Sequence, residues 1–134
     1  MKSKLTIEET IEKVRQFHDA FGINSIENPS VDISTKTKQL RFDLMQEENQ
    51  EYLEAALNGD LIEVADALGD MLYILCGTIL AHGMQHKIEE IFTEIHRSNM
   101  SKLGADGKPV YRADGKVLKG PNYFKPEIGE VFVE

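Results

Sequence analysis

Apolar residues over the first hundred positions recur mostly at intervals of three and four, the period of an amphipathic helix. "IEETIEKVRQFHDAF" keeps this spacing from Ile7, with Thr6 and Glu9 placed as a capping box and Gly22 as a stop. "GINSIENPSVDIS" is a polar connector broken by Asn-Pro. A second helix is predicted from near Ser34 to about Leu57, and a third from about Leu61 to His82, where Gly83 can end it. The "NGD" between them, at positions 58–60, can close one helix and cap the next. A fourth helix is predicted over roughly Gln85–Ser98. Long helices joined by short turns imply antiparallel neighbours, so the expected fold is all-α, an antiparallel bundle of about four helices.

The texture changes after Ser98. "GADGKPVYRADGKVLKGPNYFKPEIGEVFVE" carries two Asp-Gly turns, and "PVYR-ADG-KVLK" reads as a small β-hairpin. The expectation is an ordered C-terminal arm, laid over the bundle or over a partner subunit. Positions 1–134 thus read as one domain, with a helical core at about 5–98 and an arm at about 99–134.

Composition narrows the partners. The 134 residues include 41% apolar and 28% charged, enough for a core and ordinary for one globular domain. The net charge of −8 disfavours a nucleic-acid binder, which needs clustered Lys and Arg. It leaves nucleotides open, because a metal can bridge two anionic partners. The single cysteine, Cys76, lies in an apolar run and reads as a small core residue. The N-terminus lacks a signal-peptide core, and the apolar run around Met71–Ala81 reads as too short to span a membrane. The expectation is a reduced, cytoplasmic protein with no membrane partner.

The candidate chemistry lies in "EENQEYLEAALNGDLIEVADALGD", which holds eight carboxylates from Glu47 to Asp70. With Leu44 at the centre of a helical wheel, Glu48 falls at about +40°, Glu51 at about −20° and Glu47 at about −60°. Glu48 and Glu51 therefore lie inside the apolar stripe, Glu47 at its edge, and Glu54 further out. The third helix is apolar nearly all round, as a buried central helix would be. Yet Glu63, Asp66 and Asp70 share one of its faces with Ala67 and Ile74. Buried carboxylates are costly unless paired or metal-bound, and no Lys, Arg or His occurs between Glu47 and Leu80. The turn at 58–60 would set Glu48, Glu51, Glu63 and Asp66 at comparable heights on facing helices. Four such carboxylates make an all-oxygen site suited to Mg²⁺ or Mn²⁺. Taken singly, each has a plainer role: Glu63 can cap with Asp60, and Asp66 and Asp70 can pair with tail lysines. A di-iron bundle would need Glu-x-x-His, an EF-hand its Asp-rich loop and a P-loop enzyme GxxxxGK[ST]; the sequence has none of them.

"EENQE" followed by "EVAD" resembles the EExxE…ExxD signature of the all-α nucleoside triphosphate pyrophosphohydrolases. That superfamily includes MazG proteins, dimeric dUTPases, dCTP pyrophosphatases and phosphoribosyl-ATP pyrophosphohydrolase. The tail "RSNMSKLGADGKPVYRADGKVLKGPNYFKP" is similar to the C-terminal segment of the MazG-like, phosphoribosyl-ATP-pyrophosphohydrolase-like branch. The resemblance implies Mg²⁺-dependent hydrolysis of a nucleoside triphosphate to monophosphate and pyrophosphate. It makes Glu48, Glu51, Glu63 and Asp66 metal ligands, and Glu47 a holder of a further metal or the group that activates water. Some relatives carry ELxD where this chain has Ala67–Asp70, so Asp70 rivals Asp66; the intact Glu63-x-x-Asp66 favours Asp66. Asn99, Lys102, Arg112 and Lys119 are candidate phosphate contacts, with Asn99 and Lys102 favoured by the tail's resemblance. Phe17, His18 and Tyr123 are candidate base contacts, although Phe17 and Phe21 also suit plain core packing. The superfamily's habit implies a homodimer or homotetramer. Housecleaning of nucleotide pools is the expected role; phosphoribosyl-ATP hydrolysis in histidine biosynthesis is the alternative substrate. The rival of another class is a non-enzymatic acidic helical oligomerisation module.

Overall fold

The computed structural model describes residues 4–133, in two compact units that meet in sequence between His86 and Lys87. The first unit holds α1 (Ile7–Phe21), α2 (Thr35–Leu57) and α3 (Leu61–Ala81). Its boundaries follow local chemistry. Thr6 Oγ1 accepts from the Glu9 amide at 3.1 Å, and Gly22 ends α1 with φ 69°, a left-handed conformation that suits glycine. Ser34 caps α2 by accepting from the Thr37 amide. Asp60 does the same for the Glu63 amide at the start of α3.

α3 packs against both α1 and α2. The core is small: Ile11 and Val14 of α1, Ala55 of α2, and Ala67, Cys76, Ile79, Leu80 and Ala81 of α3 are buried. The connector before α2 is strapped to the far end of α3. Ile26 and Ser30 amides donate to the Leu80 and His82 carbonyls at 3.1 and 2.9 Å. Gln85 Nε2 donates to the Ile26 carbonyl at 2.8 Å.

The expectation that α3 is buried all round is corrected. Leu61, Ile62, Leu68, Leu72 and Leu75 are 47–80% exposed. The reason is architectural: α1 and α2 flank α3 over its C-terminal buried run, and these five side chains point elsewhere. The span reading also changes, because α3 has 21 residues and a mean hydropathy of 1.6, long and apolar enough to cross a bilayer. Its packing on two neighbouring helices gives the same composition a role in the bundle.

The second unit holds α4 (Ile88–Met100) and a short 3₁₀ helix (Ile128–Phe132). α4 starts three residues later than predicted, after the turn that follows Gly83. The arm is tied to α4 by polar contacts. Ser98 Oγ donates to the Phe124 carbonyl at 2.8 Å, and the Phe124 amide donates to Ser101 Oγ at 3.1 Å. The Glu127 amide donates to Glu94 at 2.6 Å, and the Arg97 guanidinium lies 4.3 Å over the Phe124 ring. The predicted β-hairpin is corrected. Among the described residues there is no strand, only an isolated bridge between Tyr111 and Val117. The turn itself forms, with the Arg112 amide donating to Lys116 and the Leu118 amide to Val110. Val110, Tyr111 and Val117 are all exposed, so the would-be ribbon has no buried face to extend its ladder.

Candidate active site

The carboxylates are placed by one helical hairpin. α2 and α3 form the most extensive helix pair, joined by Asn58-Gly59-Asp60 with Gly59 at φ 67°. Counting outward from Gly59 gives the register. Glu48 stands eleven residues before it and Asp70 eleven after; Glu51 stands eight before, beside Ala67 and Asp66 at eight and seven after. Glu63, four residues after Gly59, falls level with Ala55 instead. The hairpin therefore sets Glu48 and Glu51 against Asp66 and Asp70, with Glu63 about a turn nearer the loop. Glu51, Glu54, Asn58, Asp60, Glu63 and Asp66 line an open cleft of about 430 Å³ there.

Glu48 is the centre of strain. Its Oε2 is fully buried and has no hydrogen-bond partner. Its carboxyl is pushed up to about 7, first by burial, then by the Glu51 carboxyl in hydrogen-bond contact and its charge, then by the charges of Asp70 and Glu47. Two carboxylates this close repel unless a cation stands between them. Asp70 is also raised, by burial, then by Asp66 and Glu51. Glu47 and Glu54 are exposed, and Glu54 accepts from Gln50 Nε2 at 3.3 Å.

Among the described residues, no three His, Cys, Asp or Glu side chains converge closely enough to chelate an ion as they stand. The donor set nevertheless fits a hard divalent cation. It is all oxygen, it repels itself, and its buried acceptor Glu48 Oε2 lacks any donor. No basic side chain of the α2–α3 segment beyond Arg41 is available to neutralise it.

The other candidates are placed as follows. Phe17 is 39% exposed; its ring lies 4.4 Å from Phe21 and meets Tyr73 edge-on at 5.7 Å. His18 is only 2% exposed. Its Nδ1 lies 3.0 Å from Ser25 Oγ, and burial and Arg41 hold its pKa below the ordinary value. In the second unit, Asn99 is exposed on α4, and Lys102 follows it half-buried, its carbonyl accepting from the Gly120 amide. Arg112 is engaged by Asp114, with Nε at 2.9 Å. Lys119 Nζ lies 4.8 Å from the centre of the Tyr123 ring. Sequence reasoning missed Arg41, which is 8% exposed. The wheel that selected Glu48 would have found it, since position 41 lies seven residues before 48 on the same stripe.

An uncharacterised protein of Acanthamoeba polyphaga mimivirus is 33% identical over 79 residues, 55% of this chain. The chain spans about a third (32%) of that relative's length. The family model for phosphoribosyl-ATP pyrophosphohydrolase matches residues 14–99, which include every carboxylate of the hairpin. This chain therefore belongs to the phosphoribosyl-ATP pyrophosphohydrolase family of the MazG-like all-α pyrophosphohydrolases.

Proposed function

We propose that this chain hydrolyses a (deoxy)nucleoside triphosphate to the monophosphate and pyrophosphate in a metal-dependent reaction that clears unwanted nucleotides. One observation carries the reading: a buried, unpartnered carboxylate oxygen on Glu48, set among Glu51, Asp70 and Glu47. Burying like charges costs free energy unless a cation offsets it. Glu48, Glu51, Glu63 and Asp66 would hold Mg²⁺, with Mn²⁺ as a substitute, and the hairpin register favours Asp70 as a further ligand. When bound, the metal supplies charge neutralisation and polarisation of phosphoryl oxygens.

The chain's own groups do the rest. Glu47, exposed next to Glu48, is placed to take a proton from an attacking water. Asn99 and Lys102 would hold phosphate oxygens, as would Lys119 and Arg112 once released from Asp114. Phe17 and Tyr123 remain the proposed base contacts, whereas His18 is 2% exposed with Nδ1 beside Ser25 Oγ and would need to be uncovered to touch a base. The exposed leucines of α3 fit a second copy of the chain, as a homodimer or a homotetramer.

A second reading keeps the chemistry and changes the substrate. The family model is that of phosphoribosyl-ATP pyrophosphohydrolase, which favours phosphoribosyl-ATP as the triphosphate. The test is pyrophosphate release from a panel of NTPs, dNTPs and phosphoribosyl-ATP, with Mg²⁺, with Mn²⁺ and with EDTA. Metal-dependent release with a matching monophosphate is the expected result, and the preferred substrate separates the two readings. A folded protein that releases nothing from any of them overturns both and leaves the oligomerisation module.

A further inference from the structure

Arg41 is almost buried, yet no carboxylate pairs with it among the described residues. Its Nε donates to Thr78 Oγ1 at 3.0 Å and its Nη2 to the Ile74 carbonyl at 2.8 Å. Both acceptors are on α3. Among the described residues, these are the side-chain hydrogen bonds that join α2 to α3. The buried apolar residues of the two helices are Ala55 of α2 and Ala67, Cys76, Ile79, Leu80 and Ala81 of α3. Apolar contact is non-directional and resists sliding weakly. A buried guanidinium resists it strongly, because a slip leaves charged donors without acceptors.

Gly77 makes the lock specific. A Cβ there would stand 2.5 Å from Arg41 Nη2 and 3.0 Å from His18 Nε2. The positions one turn away on either side are Tyr73 and Ala81, both of which carry a Cβ. The present register is therefore the one that lays the guanidinium against a residue without a side chain. The three-residue turn sets the coarse register, and any smaller shift or rotation of α2 on α3 would change how Glu48 meets Asp70.

We propose that Arg41 is a positioning residue: it pins α2 against α3 and so sets Glu48 and Glu51 to face Asp66 and Asp70. This rests on the metal-site reading above.

The test compares wild type with Arg41→Gln, Arg41→Lys and Thr78→Val. Each protein is titrated with Mg²⁺, and two midpoints are read: the rise in melting temperature without nucleotide, and pyrophosphate release with nucleotide. Arg41→Gln is expected to raise both midpoints about tenfold, the scale of losing a group that orients metal ligands. Arg41→Lys recovers part of this, and Thr78→Val, which removes one acceptor, gives a smaller shift in the same direction. A variant that melts lower but keeps the wild-type midpoint overturns the proposal, since a merely structural residue would behave so. Should Arg41→Gln fail to fold, the Thr78→Val midpoint decides; an unchanged value overturns it. Wild type with no response to Mg²⁺ overturns the metal-site reading and this inference together, whereas a normal wild type with unshifted variants overturns this inference alone.

Discussion

Replacing Glu48 by Gln should make the metal-free protein more stable while abolishing its activity. The carboxyl is raised from 4.5 to about 7 in the folded chain. A rise of about 2.5, at about 1.4 kcal/mol each, bounds the folding penalty of the ionised form at about 3.5 kcal/mol. Glu48 is only half-buried, so solvent screening reduces this to about 1 kcal/mol, or about 4 °C in melting temperature for a domain of this size. Gln keeps the shape, removes the charge, and presents an amide that can donate to Glu51. The sign is fixed by linkage. A raised carboxyl pKa costs nothing below the unfolded value of 4.5, and its penalty grows as pH rises to about 7. His18, whose pKa is lowered, acts oppositely: it withdraws stability as pH falls below its ordinary 6.5. That contribution is common to both proteins and cancels in their difference. Thermal melts in EDTA should therefore show Glu48→Gln above wild type at about pH 8 and level with it at about pH 4.5. With Mg²⁺, wild type should rise and the variant should not. A variant that melts at or below wild type in EDTA at the higher pH would refute the electrostatic account.

Asp70→Asn should lower kcat/KM by about 100-fold with the fold intact by circular dichroism, because the hairpin sets Asp70 against Glu48; near-wild-type turnover would return the ligand position to Asp66 alone. Gly77→Ala should destabilise by about 2 kcal/mol in urea unfolding, as the new methyl displaces the Arg41 guanidinium. A variant as stable as wild type would show that the guanidinium has room to move. Leu72→Glu should lower the mass seen in sedimentation if the bare face of α3 is where copies meet, and an unchanged mass would place the contact elsewhere.

The helices were legible because their signals are local. Thr6, Gly22, Ser34 and Asp60 cap or stop helices in the structure where the sequence marks them. Glu48 and Glu51 could be picked from their wheel positions, because periodicity reports which residues share a face. The axial register of α2 on α3 was less legible. It depends on the length of the turn and on Arg41 meeting Gly77 across the helices, neither of which periodicity reports. The hairpin of the arm misled for another reason. "ADG" specifies a turn, and the turn forms, but a ladder needs a buried face that Val110, Tyr111 and Val117 do not have. The bareness of α3 was hidden too, since an apolar helix reads alike whether its own chain or another covers it.

The hairpin that carries the carboxylates is a short stretch of chain, Glu47 to Asp70, closed by a turn centred on Gly59. Its contacts are local in sequence, and local contacts form early and fast. During synthesis, the acidic centre can therefore assemble before α4 and the arm have left the ribosome. The portion of the chain that carries the charge is made as one piece, after α1 with Phe17 and before α4 and the arm with the proposed phosphate contacts. Changes in the arm can then retune what is bound without rebuilding what reacts. The same order exposes the nascent hairpin to its own repulsion, so a cation held by these carboxylates, as proposed above, would act on the folding of this protein as well.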